Sequence, residues 1–324
     1  GIDLTPTGFI AYGNNVANTG DVVYMAIRRG PLAPPEAATE VFKPVLATSV
    51  DAYSVGFETD FALFNKIAGL SFNTIATTRL QGGGIRLSTA TTAAEVASNV
   101  VEFDLQDSFK QGILGSSPLI RYHWKRAPSY FDAVCYSGNA TAGRTVSHNL
   151  TVAPEMIWTR KRSTTGNWGA YHSGPGATKY LVPNSTNEAR TLTSPWNDTA
   201  PTSSVFTLGT SAVGNGSGVD YIAYLFASLA GVSKVGSVSH SNTTNVDCGF
   251  SNGARFVLLK RYDATGDWYI WDSVRGIVAG NDPYLLLNST AAAVTNTDFI
   301  DPLNAGFTIS DAFTDGDYIF YAIA

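Results

Sequence analysis

The sequence predicts an all-β protein made of tandem β-sandwich modules of about 90–100 residues in an extended array. Three observations carry this expectation. The first is a repeat. Residues 156–173 read MIWTRKRSTTGNWGAYHS, and residues 256–273 read FVLLKRYDATGDWYIWDS, so the second copy lies 100 positions after the first. Thr165-Gly166-Asn167-Trp168 aligns with Thr265-Gly266-Asp267-Trp268 without a gap. Each copy is an apolar run, a basic pair, a polar turn and an aromatic run, which is the pattern of a β-hairpin. A long fixed period decides architecture before any local reading does. The second observation is composition. Charged residues make up 15 % and aromatic residues 12 % of the chain. Low charge with many β-branched and aromatic side chains favours strands and excludes disorder. The third is spacing: about seven short, turn-bounded runs per module suit a sandwich.

Taken in order, residues 8–12 (GFIAY) and 21–27 (DVVYMAI) read as two strands. The same pair recurs at 306–309 (GFTI) and 317–323 (DYIFYAI). Residues 1–30 therefore read as the closing hairpin of a truncated module, and the start at Gly1 reads as a piece of a longer polypeptide. A lone hairpin is marginal in water, so this one is expected to pack on upstream chain or on another subunit. Residues 31–39 (PLAPPEAAT) form a semi-rigid Pro/Ala linker. A module at 40–130 follows, with residues 60–64 as the counterpart of 256–258 and residues 91–99 (TTAAEVASN) as the best helical candidate. The next module, 131–230, has strands expected near 132–137, 144–148, 155–162, 168–172, 177–183, 204–209 and 219–227. The last, 231–324, repeats that order, with 284–290 matching 180–186 and 317–319 matching 220–222. Unbroken apolar runs such as 221–227 are expected to be central strands covered on both faces.

The segments PEMIWTRKRSTTGNW, SPWNDTAPTSSVFTLG, GSGVDYIAYLFA and YMAIRRGP resemble repeat modules of large virion proteins of tailed bacteriophages. These are tail-fibre or receptor-binding proteins, some with a concanavalin-like lectin domain in the same chain. The likeness is strongest over 131–324 and 18–31, and looser over 40–130, where the Thr-Gly-Asn/Asp-Trp turn is missing. It implies a virion protein assembled in the host cytoplasm, partnered by other virion proteins and by a host-surface glycan or protein receptor. It also implies a homotrimer. It transfers no catalytic residue and no cofactor, so no enzymatic activity is expected. The rival roles are a head fibre, a capsid decoration or a passive shaft spacer, and then a polysaccharide depolymerase.

Residues that recur in both later modules, such as Trp168 and Trp268, are assigned to the fold. Residues that one module has and its sister lacks are the ligand-binding candidates. Trp196, Asn197 and Asp198 lie in a polar insertion, where a ring would stack on a sugar while the amide and carboxylate take its hydroxyls. Tyr269 and Trp271, in place of Gly169 and Tyr171, are the second choice. Asp298, Asp301, Asp311, Asp315 and Asp317 bring carboxylates to the chain end but lack a complete calcium loop, and the four histidines lack zinc spacing, so no metal is expected. The basic pairs Arg28-Arg29, Lys125-Arg126, Arg160-Lys161 and Lys260-Arg261 recur at strand ends and read as solvated rims. With a net charge of −5 and no basic cluster, nucleic acid is not an expected partner. Two cysteines make no disulfide framework, and no apolar run is long enough to span a membrane.

Overall fold

In a computed structural model the chain forms two compact units, Gly1–Ala33 and Pro34–Ala324. The structure describes residues 2–5, 8–11, 33–47, 53–67, 74–97, 101–103, 108–111 and 118–324. In the first unit, Ile2–Thr5 pairs antiparallel with Gly8–Ala11, Ile2 standing opposite Ala11. The partner seen for the strand at 8–11 thus precedes it; the expected partner, 21–27, lies outside the described residues.

Among its described residues the second unit is all β apart from two 3-10 turns, Ala38–Glu40 and Arg79–Gln81. The helix expected at 91–99 is not formed over its described residues: 91–95 are irregular, Val96–Ala97 pairs as a strand, and 98–99 lie outside the described residues. Among the described residues no helix is long and apolar enough to cross a membrane.

Three modules follow one topology, each with a large and a small antiparallel sheet. The large sheets begin with an opening edge strand: Phe42–Ala47, Phe131–Ser137 or Ser233–His240. Beside it lies the module's closing strand: Leu119–Trp124, Asp220–Phe226 or Gly316–Ile323. Next comes an inner strand, Phe61–Lys66, Met156–Lys161 or Phe256–Arg261, and then a return strand, Ile75–Thr78, Gly169–His172 or Trp268–Asp272. The register repeats as well. Trp124 pairs with Phe42 and Phe61, Phe226 with Phe131 and Met156, and Ile323 with Ser233 and Phe256. Modules I, II and III, taken in chain order, therefore share these four strands and their register, while among the described residues the large sheets run to six, four and five strands. The tight hairpins that join them are equivalent too, with Ala127 and Leu229 donating to the carbonyls of Phe131 and Ser233. Their tips, Ser129 and Gly231, both adopt left-handed backbone, at φ 61° and 71°.

Side chains on a strand alternate between faces. On the closing strands the odd and even sets go to different cores. Ala223 and Leu225 enter module II's own sandwich core, and Phe320 and Ala322 enter that of module III. Tyr122 and Trp124, Tyr224 and Phe226, and Tyr321 and Ile323 all enter a single core shared by the three modules. Each module touches both others there. Phe61 lies 5.6 Å from Phe131 and 4.7 Å from Tyr224, Phe226 lies 5.1 Å from Tyr321, and Phe256 lies 5.4 Å from Phe42.

The extended row is thereby corrected: the modules close around a common centre. The physical reason is that their large sheets are apolar on both faces, and a row would leave one face wet. Main-chain hydrogen bonds run round the same cycle. Glu95 N–H donates to Arg162 O at 2.9 Å, Ala189 N–H to Tyr262 O at 2.9 Å, and Ala293 N–H to Ile67 O at 3.3 Å. Module I reaches II, II reaches III, and III reaches I.

Trp168 and Trp268 secure two of these junctions. The Trp168 indole donates to Ser88 O at 2.8 Å, and the Trp268 indole donates to Val182 O at 3.2 Å. By register the same position in module I is Thr74, so the third junction lacks an indole. Trp268 is fully buried and meets Trp158 edge-on at 6.4 Å. Trp268→Ala should cost about 3–5 kcal/mol, read as a lowered urea midpoint for the whole second unit. A loss below about 1 kcal/mol would contradict the shared core.

A candidate cleft between the second and third modules

The residues singled out from sequence are mostly spent on packing. Trp196 is 3 % exposed and meets Tyr171 edge-on at 5.8 Å, inside the core of module II. Its loop folds back on itself, with Asn197 N–H donating to Thr193 O and Thr199 N–H to Trp196 O, while Asn197 and Asp198 adopt φ of 52° and 48°. The expected sugar platform at Trp196 is corrected accordingly, since its ring has no free face. Asn197 stays half-buried and Asp198 exposed. Trp271 is fully buried in the core of module III. Tyr269 is half-buried and stacks on Trp271 at 5.5 Å, with Tyr284 edge-on to it at 5.1 Å. Module II has Gly169 where module III has Tyr269. A Cβ on Gly169 would lie 2.4 Å from Val213, so Val213 already fills that space. The modules thus differ here because each fills its own sandwich differently.

Two of the basic pairs also need correction at their first residue, and Arg28-Arg29 lies outside the described residues. Arg160 and Lys260, equivalent by register, are fully buried. Arg160 donates to Gly166 O within its own turn and to Ala93 O of module I. Lys260 donates to Gly266 O at 2.6 Å and to Thr186 O of module II at 3.0 Å. Burial pushes the Arg160 guanidinium down to about 10 and the Lys260 ammonium down to about 8. These cations are staples between modules, held by carbonyl oxygens. Arg126 is half-buried and pairs with Asp132 at 2.6 Å. At the remaining junction, Tyr122 of module I donates to the buried Asp272 of module III at 2.9 Å, and Arg275 pairs with the same carboxylate at 2.5 Å.

Among the described residues no three His, Cys, Asp or Glu side chains converge in a way that could hold a metal ion. The strand-entry aspartates serve the fold: Asp220 accepts from Ser137 and Asp317 from Ser239, equivalent contacts in modules II and III. Both cysteines are free thiols.

An open cleft of about 480 Å³ lies between modules II and III. Glu155, Ser173 and Gly174 form the module II wall. The other wall is the opening edge strand of module III, from Lys234 to Val238, with Asn245, Val246 and Asp247 from the neighbouring small-sheet edge and Phe320 behind the strand. One Glu155 carboxylate oxygen accepts from Ser228 N–H at 2.6 Å, and one Asp247 oxygen accepts from Gly249 N–H at 2.8 Å. Among the described residues the opposite oxygen of each has no such bond. Gly174 lets modules II and III approach closely beside the cleft. The position two residues past the return strand is Leu80 in module I, where the side chain packs against the shared core beside Cys135. In module II it is glycine, and a Cβ there would stand 2.9 Å from that of Ser237. Gly174 set against Leu80 in the repeat is the signal by which sequence reading would have found this junction.

The architecture defines an all-β protein whose three sandwich modules enclose one core. A family model, a domain of unknown function designated DUF7483, matches residues 125–324, which is modules II and III entire and well over half of the chain. The chain belongs to that family. No curated protein and no solved structure matches it.

Two buried groups give pH a handle on the fold. His172 accepts from Gly174 N–H through Nδ1 at 3.0 Å, and burial pushes its pKa down to about 4. Asp282 is fully buried, and one of its oxygens accepts from Val278 N–H at 2.7 Å. Burial, with Asp298 and Asp301 nearby, pushes its carboxyl up to about 7. The native state therefore keeps a proton that the unfolded chain has released above about pH 4. The stability this contributes is fully present below the unfolded pKa and is lost as pH rises through about 7. Asp282→Asn should raise stability at pH 8 while changing it little at pH 4, in denaturant titrations at both. The same difference between variant and wild type at both pH values would contradict the buried carboxyl.

Proposed function

We propose that this chain is a structural module of a tailed-bacteriophage virion, most specifically of a tail fibre, that attaches the particle to a receptor on the bacterial surface. The resemblance of its repeats to such virion proteins supports the reading. So does the scaffold: binding residues concentrate on loops and junctions carried by rigid elements. The single observation that carries recognition is the polar cleft between modules II and III, lined by Glu155, Lys234, Asn245 and Asp247. A second reading, a passive shaft or capsid-decorating module, draws on the burial of Trp196 and Trp271, which leaves neither ring for a ligand. The homotrimer and the other virion proteins remain part of the proposal as partners.

Labelled purified chain added to candidate host cells separates the two readings. Saturable binding, lost after chemical stripping of surface receptors, is the expected result. Absence of binding to any host that the parent particle infects would leave the passive role. Release of reducing sugar from host polysaccharide in the same incubation would instead indicate a depolymerase.

A further inference from the structure

We propose that the cleft between modules II and III is a binding site for a neutral, hydroxyl-rich saccharide unit. This rests on the recognition reading and assigns it a place. A sugar hydroxyl both donates and accepts, so it suits a site where acceptors and donors stand side by side. The cleft supplies both. Glu155 and Asp247 each present an uncommitted carboxylate oxygen. Asn245 uses its side-chain oxygen to accept from Thr308 at 2.9 Å, which turns its amide hydrogens free as donors. The Lys234 ammonium makes no hydrogen bond or ion pair among the described residues, and the Ser173 and Ser237 hydroxyls are likewise uncommitted.

The strand edge adds main-chain groups. Val235 N–H donates to Ser228 Oγ at 3.0 Å, and the Ser228 hydroxyl donates to Val235 O at 3.3 Å. The Val235 peptide groups therefore point away from the closing strand. In an antiparallel ladder this direction alternates by residue, so those of Ser237 point the same way, into the cleft. Phe320 lines the cleft, but its ring is committed to the core of module III. Gly236 lets the Phe320 ring lie directly against the strand, where a Cβ would come within 2.6 Å of it. The volume of about 480 Å³ lies in the usual range for a small-ligand site.

The test is titration of the whole chain with a panel of neutral hexose and N-acetylhexosamine disaccharides, followed by calorimetry and by saturation-transfer NMR. Asp247→Asn and Lys234→Gln alter exposed or half-buried side chains and should leave the urea midpoint unchanged. The expected result is binding of at least one sugar, weakened tenfold or more by each substitution. Sugar binding that both variants retain, or no binding across the panel, overturns the proposal. Host-cell binding by the double variant separates this failure from failure of the recognition reading. If the wild-type chain and the double variant bind cells equally, recognition stands and the cleft is not its site, which includes the case of a protein receptor bound elsewhere. If the wild-type chain does not bind cells, recognition itself fails.

Discussion

Everything in the second unit depends on one constraint: each large sheet carries apolar side chains on both faces. The small sheet of the same module covers one face, as Val146 and Phe206 do beneath Ile157 and Leu225 in module II. Nothing within the module covers the other. Burying a large apolar side chain contributes about 1.5–3 kcal/mol relative to leaving it in water, and each module brings several to that face. The shared core satisfies all three at once, and a ring of three leaves no module with an open end.

A core made of three similar sheets would still tolerate slippage if apolar contact alone joined them. Directional bonds fix the arrangement. The three equivalent main-chain hydrogen bonds set where each module meets the next. The indoles of Trp168 and Trp268 and the buried cations Arg160 and Lys260 then satisfy carbonyl groups at two of the junctions. Buried polar groups are costly when unpaired and specifying when paired. The third junction uses other chemistry, the Tyr122–Asp272–Arg275 cluster, so the pseudo-threefold arrangement is not exact. The departures from symmetry are the informative places, and the close approach at Gly174 is one of them.

Much of the strand pattern was legible in the sequence, because strand period, turns and the repeat of the Trp168 hairpin in the Trp268 hairpin are local properties. The run at 221–227 was readable as buried on both faces, but the identity of the second cover was not. Closure joins Phe61, Tyr224, Phe256 and Tyr321, which lie far apart in the chain and belong to no motif. The buried Arg160 and Lys260 misled for a related reason. A basic residue at a strand end is ordinarily wet, and only the neighbouring module supplies the carbonyls that make burial possible. Trp196 misled because its polar neighbours Asn197 and Asp198 turn the chain so that the indole points inward. The cleft residues Glu155, Lys234 and Asp247 belong to three separate segments, and no local spacing connects them.

The central claim is that the three modules are one cooperative structure. Scanning calorimetry of the whole chain tests it most directly, because independent sandwiches melt separately and a shared core cannot. The account predicts one dominant transition for the second unit, with the calorimetric enthalpy equal to the van't Hoff enthalpy. Resolution into separate module-sized transitions would contradict it.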